Sequence, residues 1–213
     1  HRQEWYGCAC CPSQLSRFLP SIGNYIYASS DDALWVNLYI GNTGQIRIGE
    51  TDILLTQETD YPWDGSVKLT ISTSQPLEKE IRLRIPNWCK TYDLSINGKR
   101  INVSEEKGYA VIKDWKSQDM DMPVEIVAAD PHVKENFGKR AIQRGPLVYC
   151  MEEIDNPEYF DQIQLSPSTT FQTAFVSDIL NGIKTIKTNG RAQSATFIPY
   201  YAWDNRKAGK MRV

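Results

Sequence analysis

The sequence predicts a mainly β chain that opens on one helix. Three observations carry this: an apolar repeat at helical spacing confined to the first thirty residues, short runs of β-branched and aromatic residues after Asp31-Asp32, and turn residues recurring between those runs. The helix comes first. Leu15, Phe18, Leu19, Ile22 and Ile26 recur at three- and four-residue intervals, and Pro12 suits a first helical position, where a missing N–H costs nothing. Pro20 interrupts the pattern, so either the helix kinks there or a second short helix begins.

Strands are then expected at 34–40, 45–48, 53–58, 66–72, 78–85, 93–96, 110–113 and 124–128. Alternation is clearest in Val67-Lys68-Leu69-Thr70-Ile71 and Ile81-Arg82-Leu83-Arg84-Ile85, which gives each strand one buried and one wet face. Asn97-Gly98 suits a hairpin turn, because both residues tolerate positive φ. Turn signals at roughly 8–12-residue spacing favour a sandwich or barrel over a βαβ sheet. Further strands are expected within 140–151 and at 183–187. The stretch 156–194 is otherwise weakly patterned, and an aromatic run follows at 197–203.

Charge and composition narrow the function. The chain has 213 residues and a formal charge of -2, from 24 basic and 26 acidic residues with no long run of either sign, which argues against nucleic acid as a partner. No apolar run approaches the roughly 20 residues that span a bilayer, so no membrane partner is expected. The sequence begins at His1 in what reads as a cut edge, so nothing in it indicates a compartment.

Chemistry concentrates at Cys8-Ala9-Cys10-Cys11-Pro12, three of the five cysteines, directly ahead of the apolar helix pattern. An adjacent cysteine pair at a helix start places two soft, ionisable sulfurs near the positive end of the helix dipole. Such a pair can hold a metal, act as a nucleophile or do both; buried or disulfide-forming cysteines are the structural alternative. Cys8, Cys10 and Cys11 are too close in sequence to complete a zinc tetrahedron alone. Cys89 and Cys150 read as buried thiols, His132 as a surface residue, and Glu152-Glu153 as a solvated strand end. Tyr61-Pro62-Trp63-Asp64-Gly65 reads as a turn with Trp63 packed, with sugar stacking as the alternative.

The opening segment Arg2 to Pro12, followed by Leu15-Ser16-Arg17-Phe18-Leu19, resembles glycoside hydrolase family 127 and its relative family 146. So do Leu38-Tyr39-Ile40-Gly41, Tyr61-Pro62-Trp63-Asp64-Gly65, Arg84-Ile85-Pro86-Asn87-Trp88, Gln143-Arg144-Gly145-Pro146 and Pro199-Tyr200-Tyr201-Ala202-Trp203-Asp204-Asn205-Arg206, in family order. The resemblance implies an (α/α)6 catalytic barrel followed by two β-sandwiches, the second inserted in the first. On that plan residues 1–29 are the last helical piece of the barrel, 30–131 with 195–213 the first sandwich, and 132–194 the second.

It further implies a retaining mechanism on β-L-arabinofuranosides of plant glycans. By motif position Cys10 matches the nucleophile and a zinc ligand, and Cys11 a second zinc ligand; Cys8, on its own residue context, reads as a small packing residue, with a stray third ligand as the alternative. The other ligands and the general-acid Glu lie upstream of His1 in family members, so this chain alone is expected to bind zinc incompletely and to be inactive. A stand-alone carbohydrate-binding or structural module is the alternative. The face of Leu15, Phe18, Leu19 and Ile22 should seek cover on the sandwich or on another copy of the chain, or else leave the helix poorly ordered.

Overall fold

A computed structural model describes residues 7–74, 79–97, 99–113, 139–166, 168–188 and 194–213, together with the strand backbone of 118–120 and 124–128. The fold is mainly β. The chain divides at residues 122–123 into two compact units, each with its own strands.

In the first unit, helix α1 (Cys10–Ser21) starts two residues before Pro12, so the proline lies within the first turn, where its missing N–H has no intrahelical partner to lose. Pro20 does not stop the helix until its last turn. Beyond it Ile22 N–H turns back to the Leu19 carbonyl at 3.3 Å, and a short helix α2 (Gly23–Ile26) follows. Ser13, Ser16 and Ser21 each return their hydroxyls to carbonyls of the preceding turn at 2.9 Å.

Ten strands then follow, beginning with β1 (Tyr27–Ser29), β2 (Ala33–Val36), β3 (Asn42–Ile48), β4 (Thr51–Thr59) and β5 (Ser66–Thr73). They continue with β6 (Glu80–Arg84), β7 (Tyr92–Ile96), β8 (Lys99–Ile101), β9 (Ser104–Glu106) and β10 (Tyr109–Ile112). With β11 (Gln118–Met120) they make two sheets, of order β1-β2-β6-β10-β9 and β3-β4-β5-β11-β7-β8. Only the β2–β6 contact among these pairings is parallel. Leu34, Val36, Ile81, Leu83 and Ala110 from the first sheet and Ile48, Ile53, Leu55, Val67 and Leu69 from the second join one buried apolar cluster. The alternation predicted for β5 is therefore real: Val67 and Leu69 are buried, while Lys68 and Thr70 face water.

Two hairpins show why particular residues were needed. Asn97 adopts φ 50° where Ile96 pairs with Lys99, as a tight turn requires; Gly98 lies outside the described residues. Gly49, at φ 59°, closes β3 onto β4, and a Cβ there would meet the Asp31 carbonyl oxygen at 3.0 Å. Gly49→Ala is expected to lower stability by about 1 kcal/mol or more, from the unfavourable φ together with that contact. Urea unfolding midpoints of the two proteins check it, and equal midpoints would contradict the strain account.

The second unit holds β12 (Val124–Ala128), β13 (Arg140–Arg144), β14 (Leu147–Glu152), β15 (Phe171–Val176), β16 (Ile183–Thr188), β17 (Thr196–Pro199) and β18 (Met211–Arg212). Six of them run in the order β12-β13-β14-β17-β16-β15, with β18 against β14. Ile142, Tyr149, Met151, Phe160, Ile186 and Phe197 form its core. Tyr149 is buried and donates its hydroxyl to the Lys184 carbonyl at 3.0 Å; burial pushes that phenol up to about 12.

The last segment differs from expectation. Residues 195–213 were assigned to the first sandwich, yet Thr196–Pro199 pairs with β14 and β16, and Met211–Arg212 with β14, all within the second unit. Phe197 and Ile198 are both buried, so the strand enters the sheet as a two-sided core strand. A pattern of that kind states burial without stating which sheet receives it.

Candidate active-site segment

The cysteine segment leads into α1. Ala9 occupies the N-cap, with no side chain accepting from the first-turn amides and no acidic residue in that turn. Cys10 and Cys11 therefore begin the helix with their sulfurs as its nearest soft groups. Their Sγ atoms lie 3.7 Å apart, and both thiols are free and exposed, as is Cys8.

That separation is informative. A tetrahedral zinc with Zn–S near 2.3 Å holds neighbouring sulfurs about 3.8 Å apart. The spacing of the two sulfurs is close to the length of one such edge. The pair supplies no more than that, since among the described residues no group of three His, Cys, Asp or Glu side chains gathers into a metal cluster.

The helix behind the cysteines is bare. None of its residues is buried; Leu15, Phe18 and Leu19 are exposed, and Phe18 has a ring contact with Tyr25 at 5.9 Å. Of the outcomes expected for the stripe, burial within its own unit is not seen for Leu15, Phe18 or Leu19 among the described residues, while Ile22 is half-buried.

The other singled-out residues fall into structural roles. Cys89 and Cys150 are buried and outside any disulfide, as expected, and Cys89 donates weakly to the Thr91 carbonyl at 3.3 Å. Residues 60–64 make the expected turn, with the Trp63 and Asp64 amides both donating to the Asp60 carbonyl, and the Tyr61–Pro62 bond is cis. The ring of Tyr61 lies 6.4 Å from that of Trp88 and 5.9 Å from that of Tyr39, at the border of the first core. Burial raises the Tyr61 phenol. His132 lies outside the described residues.

Glu152 differs from the solvated strand end that its sequence context predicts. It is buried: Oε2 pairs with Arg206 at 2.5 Å and Oε1 accepts from the Asp204 amide at 2.6 Å. The signal existed in the sequence as the segment Asp204-Asn205-Arg206, but the partner is 54 residues away.

Comparison with known proteins agrees with this architecture. Residues 33–125 match the family model for the β-L-arabinofuranosidase GH127 middle domain, and 124–213 match the model for the glycoside hydrolase family 127 C-terminal domain. The chain belongs to glycoside hydrolase family 127. The boundary between those two domains coincides with the division into structural units.

The chain is 33% identical to a non-reducing end β-L-arabinofuranosidase of Bifidobacterium longum subsp. longum, an alignment covering all of this chain and 38% of that protein. It superposes on a crystal structure of a GH127 β-L-arabinofuranosidase from Geobacillus stearothermophilus T6 with TM-score 0.88 and 38% identity, over all of this chain and 38% of that one. A second solved GH127 β-arabinofuranosidase gives TM-score 0.88 and 35% identity, covering 39% of that chain. The present chain thus spans under two fifths of the length of these relatives.

Proposed function

We propose that these residues are the C-terminal part of a retaining glycoside hydrolase that acts on β-L-arabinofuranosides of plant glycans, with Cys10 as its nucleophile. The observation that carries the proposal is the pairing of exposed, adjacent thiols at a helix start, 3.7 Å apart, in a chain that aligns end to end with β-L-arabinofuranosidases. In this reading α1 is the last helical piece of an (α/α)6 barrel, which accounts for its uncovered apolar stripe, and the two sheets of the first unit make a β-sandwich around their common core.

The chemistry follows from what sulfur does. Cys10 Sγ attacks the anomeric carbon as the bond to the leaving oxygen breaks; a carboxylic acid outside this chain gives that oxygen its proton. Water then displaces sulfur with the same carboxylate as base, so two inversions retain configuration. Cys10 and Cys11 are the residues here that would hold zinc, and a bound zinc keeps a coordinating sulfur in the thiolate form, whereas a free thiol of pKa near 8.5 is only about 3% ionised at pH 7. Cys11 orients and retains the metal, and Cys8 has no step assigned to it.

Since the acid is supplied from outside these 213 residues, the purified chain is expected to release no arabinose from a β-L-arabinofuranoside. Release of L-arabinose above the uncatalysed rate, followed chromatographically, would overturn the assignment of the acid.

A further inference from the structure

The second unit carries an aromatic side chain that its fold does not use. Phe175, in edge strand β15, is 64% exposed, more than any other described large apolar side chain. Among the described residues β15 pairs only with β16, and four of its six residues are exposed. The ring is nonetheless seated. It lies over Gly182, where an added Cβ would come within 2.5 Å of Cζ and 2.9 Å of Cε2. Glycine is thus required beneath the ring, both for that space and for its φ of 130°.

The loop between the strands is shaped around this seat. Leu180, Asn181 and Gly182 all have positive φ, an arrangement that side-chain-bearing residues rarely adopt and that recurs at ligand clamps. The Gly182 amide donates to the Ile179 carbonyl at 2.9 Å, and Ser177 Oγ donates to Asp178 Oδ1 at 2.7 Å, which orients the carboxylate. Thr173, on the same strand face as Phe175, is exposed, as are Asp178 and Asn181. The hairpin that carries this flat apolar ring thus also carries an exposed hydroxyl, amide and carboxylate.

Those groups select a ligand class. A protein partner would need about 1,000 Å² or more of contact, and beyond Phe175 and Leu180 this hairpin offers little exposed apolar surface. One or two sugar units need far less: a C–H-rich sugar face covers an aromatic ring while its hydroxyls reach the surrounding donors and acceptors. We propose that the Phe175–Gly182 hairpin is a carbohydrate-stacking platform that holds an arabinose-rich glycan chain. The choice of arabinose rests on the function proposed above, whereas the stacking surface does not.

Affinity electrophoresis of the 213-residue chain through gels containing soluble arabinan tests this. The wild-type chain is expected to be retarded, Phe175→Ala to lose about tenfold or more of the affinity, and Phe175→Trp to keep it. Cys8→Ser, at a residue with no step assigned to it, should be retarded like wild type, which ties any loss of retardation to the platform. Phe175 contributes to neither core, so an unchanged thermal midpoint for Phe175→Ala should show that its fold is intact. The proposal is overturned if the wild-type chain runs unretarded, if Phe175→Ala is retarded equally, or if mobility depends on protein concentration without glycan, which would mean that a second copy covers the ring.

Discussion

In an intact enzyme containing these residues, Cys10→Ser is expected to lower kcat for a β-L-arabinofuranoside by about four orders of magnitude or more, the scale on which loss of a covalent nucleophile acts. A serine hydroxyl at this position ionises far less readily than a thiol and is a poor zinc ligand, so the substitution removes attack and metal retention together. Cys11→Ser separates the two. It leaves the proposed nucleophile in place but breaks the 3.7 Å sulfur edge, so bound zinc should fall and activity should recover partly with added zinc. Cys8→Ser should change neither. Zinc content and kcat measured on the three variants decide the assignment: Cys10→Ser retaining a tenth of wild-type activity, or Cys8→Ser matching its loss, would place the nucleophile elsewhere.

How much of this was legible in the sequence varied with the kind of signal. Where one strand face meets the core and the other meets water, period-two alternation reported it directly, as in Val67 and Leu69 against Lys68 and Thr70. Strand β15 was missed because Gln172 to Phe175 is exposed on both faces; with no burial contrast, Phe171-Gln172-Thr173-Ala174-Phe175-Val176 carries no period to read. Strand β9, Ser104-Glu105-Glu106, is wholly exposed and was missed for the same reason. The aromatic run at 197–203 does contain a buried strand, Thr196–Pro199, but strand partners depend on contacts distant in sequence, which local pattern does not encode. The cysteine pair was legible because its chemistry lies in adjacent residues. The buried Glu152 was not, because its environment is built by a segment more than fifty residues later.

That segment supplies the second large effect. Arg206→Ala is expected to destabilise the second unit by about 3 kcal/mol, because it strands a buried carboxylate. The guanidinium bridges two acids: Nη2 lies 2.5 Å from both Glu152 Oε2 and Asp155 Oδ2, and Nη1 lies 2.7 Å from Asp155 Oδ1. The hydrogen bonds to Asp155, then those to Glu152, hold the guanidinium firmly charged. The Glu152 side chain is 6% exposed, so once Arg206 is gone the described hydrogen bond left to its carboxylate is the one from the Asp204 amide. Water could reach Asp155 and Arg206 more easily, at 19% and 26% exposure, which puts the expected cost at the lower end of the range for breaking buried pairs. Lysine would restore the charge without the planar fork that spans two carboxylates, so Arg206→Lys should recover only part of the loss. Replacing both partners, as in Glu152→Met with Arg206→Met, should cost less than Arg206→Ala alone, since no charge is then left behind. Thermal unfolding of the set reads this out at about 4–8 °C per kcal/mol for a unit of this size. A double variant less stable than Arg206→Ala would mean that the network contributes through packing and backbone bracing rather than through neutralising Glu152.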